Sequence, residues 1–178
     1  MNSCVILVDN TNLFIGGQQL AASRHHRHHH SRHQEEADRS WRLDFKGLYA
    51  CLARGRQVYK AVMVGSSEPD THPGWDQAAR DAGFEVILHD TNGHHQEKAV
   101  DTELVARGTE IICSAPQPMT LVLASGDRDY VPLVDVAHRQ GWNVELCAFT
   151  DSYPRDGELA NAVDRVHPLD SCLPQITL

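Results

Sequence analysis

The sequence CVILVDNTN at residues 4–12 gives the clearest indication of the fold class. Its first five residues are apolar and mostly β-branched, which is typical of a strand buried on both faces of a parallel sheet. The apolar run ends at Asp9, and the residues from 12 to about 22 are predicted to form a helix. A buried strand followed directly by a helix is the repeating unit of an α/β protein.

The same alternation continues along the rest of the chain. Short apolar runs predict strands at residues 58–64, 84–88, 120–124 and 143–149, with a last extended segment near Val166. Helices are predicted between them, at residues 44–52, 74–81, 97–113, 130–140 and 158–163. This pattern predicts an α/β fold with a Rossmann-like parallel sheet and helices on both of its faces.

The size and composition indicate one globular unit, a single domain over residues 1–178. The longest apolar runs are far shorter than the ~18 residues of a membrane span, and no secretory signal opens the sequence. The five cysteines form no CxxC pair, so neither a disulfide scaffold nor a zinc ribbon is expected. Cys4, Cys113 and Cys147 lie in or beside apolar runs and are expected in the core. We therefore expect a reduced, cytoplasmic protein.

The net charge of −8 is unevenly distributed along the chain. Residues 1–60 carry nine Lys and Arg against five Asp and Glu, whereas residues 61–178 carry seven against nineteen. Such a division suits a protein that holds cations at one place and polyanions at another. It equally suits a soluble protein that has neither role.

Acidic residues follow two of the predicted strands. Asp9 ends the first strand, Asp127 and Asp129 follow the strand at 120–124, and Asp101 lies near the start of the longest predicted helix. If these two strands are neighbours, the four acids converge on the rim where parallel sheets bind ligands. Carboxylates at that density repel each other unless a cation neutralises them, and oxygen ligands favour Mg²⁺ or Mn²⁺. The alternative is that these acids cap helices or are solvated surface charges.

Three motifs stand in an ordered set: VDNTNL at residues 8–13, KAVD at 98–101 and ASGDRDYVPL at 124–133. A glycine turn and strand, GWNV at 141–144, follows them. The set resembles NYN domains of the LabA-like type, a branch of the PIN-like nuclease superfamily, over most of residues 4–149. The resemblance implies a PIN-like parallel sheet and a metal-dependent nuclease site, most often associated with RNA.

The resemblance also implies roles for individual residues. The metal-binding acids would be Asp9, Asp101, Asp127 and Asp129. Asn12 would orient a ligand or water, and Ser125 would hydrogen-bond a metal-bound oxygen or a phosphate, so these six residues form the expected catalytic set. The chain departs from the family pattern at Tyr130, where Phe is usual, and at Arg128, whose position is often occupied by a small residue.

Several basic residues are candidates for contact with nucleic acid. Lys98 and Arg128 lie within the motifs. A segment at about 24–39, RHHRHHHSRHQEEADR, is predicted to be a loop or insertion, and three of its four arginines are candidate phosphate contacts: Arg24, Arg27 and Arg32. Its six histidines allow two other interpretations, adventitious binding of Zn²⁺ or Ni²⁺ and a solvated loop without a role.

These observations lead to the hypothesis of an endoribonuclease that hydrolyses RNA phosphodiester bonds at an acidic Mg²⁺ or Mn²⁺ site. One alternative is a non-catalytic NYN module that binds RNA or a protein. Another is a phosphatase or a nuclease acting on DNA, because the metal chemistry is shared. No membrane partner is expected, and the sequence leaves open whether the chain forms a homodimer.

Overall fold

The computed structural model describes residues 3–28, 37–66, 74–89 and 96–178, without the side chains of residues 25–28 and 96–98. Six strands form one sheet in the order β3-β2-β1-β4-β5-β6, and each neighbouring pair of these strands is parallel. The strands are β1 Ser3–Asp9, β2 Gln57–Ser66, β3 Glu85–His89, β4 Thr120–Ala124, β5 Asn143–Ala148 and β6 Arg165–Pro168. The predicted parallel α/β architecture is confirmed.

Within the described residues, six α-helices connect or follow the strands. They are α1 Asn10–His28, α2 Phe45–Ala53, α3 Trp75–Asp81, α4 Gln96–Ser114, α5 Val131–Arg139 and α6 Glu158–Ala162. Short 3₁₀ turns lie at Arg128–Tyr130, Thr150–Ser152 and Leu169–Gln175. The predicted cap of α2 is confirmed, because the Asp44 carboxylate accepts the backbone N–H groups of Lys46 and Gly47.

Strand β1 is the centre of two separate hydrophobic cores. Its side chains alternate between the faces of the sheet: Ile6 and Val8 pack with the layer of α1, α2 and α3, whereas Val5 and Leu7 pack with the layer of α4, α5 and α6. All four side chains are fully buried. Burial on both faces explains why this stretch is apolar at every position rather than at every second one.

The position of β1 also creates the crevice that ligands use in such sheets. The chain leaves β1 towards β2 on one side and returns later to form β4 on the other, so the order of strands reverses between β1 and β4. Val8 is paired in register with Ala124, and Asp9 and Ser125 therefore leave the sheet side by side. This is the topological switch point of a doubly wound sheet.

The predicted start of the loop at residue 24 is wrong, because α1 continues to His28. The residues from 24 onward have no apolar periodicity, which led to the loop prediction. Arg and His do not break helices, however, and extending a helix that is already nucleated adds a hydrogen bond for each residue fixed. The histidine-rich residues 29–36 lie outside the described residues.

Cys113 is exposed, so its predicted place in the core is wrong. It follows the buried pair Ile111 and Ile112 on α4 and lies about 100° further around the helix, outside the apolar stripe. Cys4 and Cys147 are buried as predicted, and all five thiols are free. None of the described helices combines the length and the apolar composition needed to cross a bilayer.

Candidate metal centre

Asp9 lies at the end of β1 and is 4 % exposed. Its Oδ1 accepts the backbone N–H of Asn12 at 3.0 Å, which caps the first turn of α1. Its Oδ2 accepts hydrogen bonds from the Ser125 hydroxyl at 3.3 Å and the Tyr130 hydroxyl at 3.1 Å. Asp9 is therefore both a helix cap and a member of the acidic rim, so the two interpretations of the sequence are compatible at this residue.

The environment of Asp9 disfavours its negative charge. Burial raises the pKa of Asp9 to about 6, and the nearby charge of Asp101 acts in the same direction. The hydrogen bonds from Asn12, Tyr130 and Ser125 oppose this shift without cancelling it. A positive charge in the crevice would stabilise the ionised form, since an opposite charge favours ionisation.

The turn after β4 is tied to α1 by backbone and side-chain hydrogen bonds. The Gly126 N–H donates to Oδ1 of Asn12 at 2.9 Å, and the Asp127 N–H donates to the Ser125 hydroxyl at 3.2 Å. A Cβ at position 126 would collide with the backbone carbonyl of Ser152, so this close approach requires glycine. The predicted catalytic residues Asn12 and Ser125 thus fix the turn after β4, Asn12 by linking it to α1 and Ser125 by a hydrogen bond within it.

Asp127 shapes the turn that carries the remaining acid. Its carboxylate accepts the backbone N–H of Asp129 at 2.9 Å and caps the 3₁₀ turn Arg128–Tyr130. The turn brings Asp129 next to Asp127, and Asp101 reaches the same place from α4. Oxygens of these three carboxylates lie within 4.8 Å of one another, two of the residues being half-buried and Asp129 exposed.

The donors of this cluster suit a hard divalent cation. Three carboxylates supply only oxygen ligands, which Mg²⁺ and Mn²⁺ prefer. Asp9 lies outside the group of three, but it lines with Asp101 and Asp127 a cavity of about 120 Å³. That cavity is completed by Thr11, Asn12, Ile15 and Val100. Asp101 therefore lies close to the other three predicted acids: Asp127 and Asp129 form a candidate ligand cluster with it, and Asp9 and Asp127 line a cavity with it.

Tyr130 is the site residue whose role the sequence did not reveal. It is fully buried, and its hydroxyl lies 2.8 Å from Oδ1 of Asp101 and 3.1 Å from Oδ2 of Asp9. Burial, together with the charges of Asp9 and Asp101, raises the pKa of this phenol far above its usual value, so it keeps its proton. The one signal in the sequence is the departure from Phe at this motif position.

The predicted nucleic-acid contacts have different positions in the structure. Arg128 is exposed and lines a second cavity of about 670 Å³, which is also lined by Asp101 and Asp129. Arg24 instead donates from Nη2 to the backbone oxygen of Asp170 at 2.6 Å, about 21 Å along α1 from its first residue. Arg32 and the side chains of Arg27 and Lys98 lie outside the described residues.

The six-stranded parallel sheet, with an acidic cluster at its switch point, defines a doubly wound α/β domain with a candidate metal centre. A family model of the NYN domain matches residues 4–170, nearly the whole chain, and the chain therefore belongs to the NYN domain family. NYN domains are part of the PIN-like nuclease superfamily. The family resemblance noted in the sequence is confirmed.

The fold is also similar to a solved structure, the crystal structure of a protein of unknown function from Vibrio parahaemolyticus RIMD 2210633. The two chains are 18 % identical, the match covers 99 % of this chain and 96 % of that chain, and the TM-score is 0.67. At this level of identity the likeness shows the fold alone. No protein with a curated description matches the chain in sequence.

Proposed function

We propose that this protein is a metal-dependent endonuclease that hydrolyses RNA phosphodiester bonds, with Asp101, Asp127 and Asp129 as the ligands of Mg²⁺ or Mn²⁺. The observation that carries the proposal is the cluster of these three carboxylates at the switch point of an NYN-domain sheet. A divalent ion held by these three carboxylates would act as a Lewis acid, able to activate water and to neutralise charge on a phosphate.

The chain's own residues would orient the substrate around that centre. Asn12 uses Oδ1 to accept the Gly126 N–H, which turns its Nδ2 amide group into the donor available to a phosphate or a water. Asp9 fixes the start of α1 through its bond to the Asn12 N–H. The positive end of the α1 dipole lies at the same crevice and favours an anionic ligand.

The test is cleavage of a labelled single-stranded RNA and of a DNA with the same sequence, each with Mn²⁺, Mg²⁺ or EDTA. We expect cleavage of RNA with either metal and none with EDTA. Cleavage of the DNA alone would contradict the proposed substrate and favour the DNA nuclease. Saturable RNA binding without cleavage in any metal would contradict catalysis and favour a non-catalytic NYN module.

Among the basic residues whose side chains the structure describes, Arg128 is the cation best placed to attract a phosphate backbone to this acidic rim. It is exposed and lines the 670 Å³ cavity together with the acidic residues Asp129, Asp135 and Glu158. Arg128→Ala is expected to weaken RNA binding and to reduce the slope of log affinity against log salt by about 1, the value for one lost phosphate contact. Turnover at saturating RNA should be retained, because the lost contact supplies binding.

The matched control is Arg139→Ala, which removes the same charge from an exposed position at the other end of α5. Its affinity and salt slope should equal those of the wild-type protein. An unchanged slope in Arg128→Ala would exclude Arg128 as a phosphate contact. The arginines at 24, 27 and 32 stay predictions of the same kind, and Arg24 is held at the Asp170 backbone oxygen rather than at the crevice.

A further inference from the structure

We propose that the Tyr130 hydroxyl is a positioning group of the metal centre, which bridges Asp9 to Asp101 and sets the orientation of the Asp101 carboxylate towards the cation. The inference rests on the proposed function, because it concerns the same acidic cluster. It adds a residue that acts through a metal ligand rather than on the substrate.

The contacts of Tyr130 connect three elements of the site. Its hydroxyl shares a single proton between two acceptors: Asp101 on α4, the nearer one at 2.8 Å, and Asp9 at the end of β1, at 3.1 Å. Its backbone N–H donates to the carbonyl of Asp127 at 3.3 Å, within the turn that carries Asp127 and Asp129. One side chain therefore links the buried acid, the helix and the turn from which the cluster is assembled.

The bond to Asp101 fixes how that carboxylate is turned. A hydrogen bond to Oδ1 restricts rotation about the bond between Cβ and Cγ, and the direction of Oδ2 is set at the same time. Asp9 in turn holds the phenol in place, since its own position is fixed by the N–H of Asn12 and the hydroxyl of Ser125. Partners behind metal ligands orient them in this manner, and their loss weakens metal binding about 10–100-fold.

The packing of the ring does not account for the hydroxyl. The ring is fully buried in the core shared by α4, α5 and α6, where a phenylalanine ring would fill nearly the same volume. A buried hydroxyl destabilises the fold unless it is hydrogen-bonded, and here both contacts are to acids of the crevice. The single oxygen that distinguishes Tyr from Phe is thus placed at the acidic cluster.

The test compares Tyr130→Phe with Tyr153→Phe, which removes the same atom from another buried tyrosine of the same core. The readouts are Mn²⁺ affinity, measured by electron paramagnetic resonance of free Mn²⁺, and the melting temperature of the metal-free protein. We expect Mn²⁺ affinity to fall roughly tenfold in Tyr130→Phe, as it does when other residues that hydrogen-bond to a metal ligand are removed. In Tyr153→Phe the affinity should be unchanged. Equal affinity in Tyr130→Phe and wild type would overturn the positioning role.

A double-mutant cycle separates positioning from a general effect on the fold. In an Asp101→Asn background Tyr130→Phe should cause no further loss of Mn²⁺ affinity, because the hydroxyl acts through the Asp101 carboxylate. Additive losses would overturn the proposal. Failure of the proposed function gives a different result, since a wild-type protein without saturable Mn²⁺ binding would contradict the metal centre itself.

Discussion

Substitution of Asp127 by Asn is expected to lower metal-dependent RNA cleavage at least about 100-fold while the fold is retained. Removing a residue that only orients a metal ligand lowers metal affinity or activity about 10–100-fold. Asp127 is itself one of the three clustered carboxylates, so its loss should cost at least the upper end of that range. Asparagine caps a turn nearly as well as aspartate, so the hydrogen bond from the Asp129 N–H is kept. The measurement is the cleavage rate with Mn²⁺, together with the melting temperature without metal.

Asp156→Asn is the matched control, because it removes the same charge from an exposed position outside the crevice. Its cleavage rate should equal that of the wild-type protein. A fully active Asp127→Asn would remove this residue from the metal centre. Loss of cleavage accompanied by a large drop in melting temperature would instead identify Asp127 as a structural cap only.

Substitution of Asp9 by Asn is expected to stabilise the metal-free protein at pH 8 by about 3 kcal/mol, which corresponds to roughly 6–12 °C in melting temperature. Burial raises the pKa of Asp9 to about 6 in the folded protein, from 3.8 for an unperturbed group. Below pH 3.8 the carboxyl is protonated in both states and opposes folding in neither. As the pH rises from 3.8 to about 6, the carboxyl ionises more readily in the unfolded chain than in the folded protein, so the free energy of unfolding falls.

Asparagine resembles the protonated acid at every pH, so the advantage of Asp9→Asn should be close to zero at pH 4 and complete near pH 8. Thermal denaturation in EDTA at both pH values measures it, with Asp156→Asn as the control. An equal difference in stability between Asp9→Asn and wild type at pH 4 and pH 8 would contradict the raised pKa of Asp9. A variant less stable than wild type at pH 8 would contradict it as well. This effect is separate from catalysis, because it is measured without metal.

The sequence predicted the sheet well because its signals are local. Every predicted strand is present, and the extended segment near Val166 pairs with β5 as the sixth strand. The strand at 120–124 has the predicted bounds, since four apolar residues follow Thr120 and every position is buried. The helix of residues 97–113 was equally clear, as its apolar stripe faces the sheet.

The convergence of the four acids was predicted only on the condition that β1 and β4 are neighbours. The register of Val8 with Ala124 meets that condition. The sequence did not predict which acids accept hydrogen bonds from the protein and which ones cluster, because that depends on which oxygen faces which donor. Asp9 is engaged by Asn12, Ser125 and Tyr130, whereas the clustered oxygens belong to Asp101, Asp127 and Asp129.

The order of the helices and strands, and the residue types that end them, can be read from the sequence, because helix and strand periodicity act over a few neighbouring positions. The contacts between residues far apart in the chain follow only from the tertiary structure. Tyr130 meets Asp9 across 121 positions and Asp101 across 29, through a single phenolic oxygen. Such a contact depends on the packing of β1, α4 and the turn after β4 against one another, and no local pattern records it.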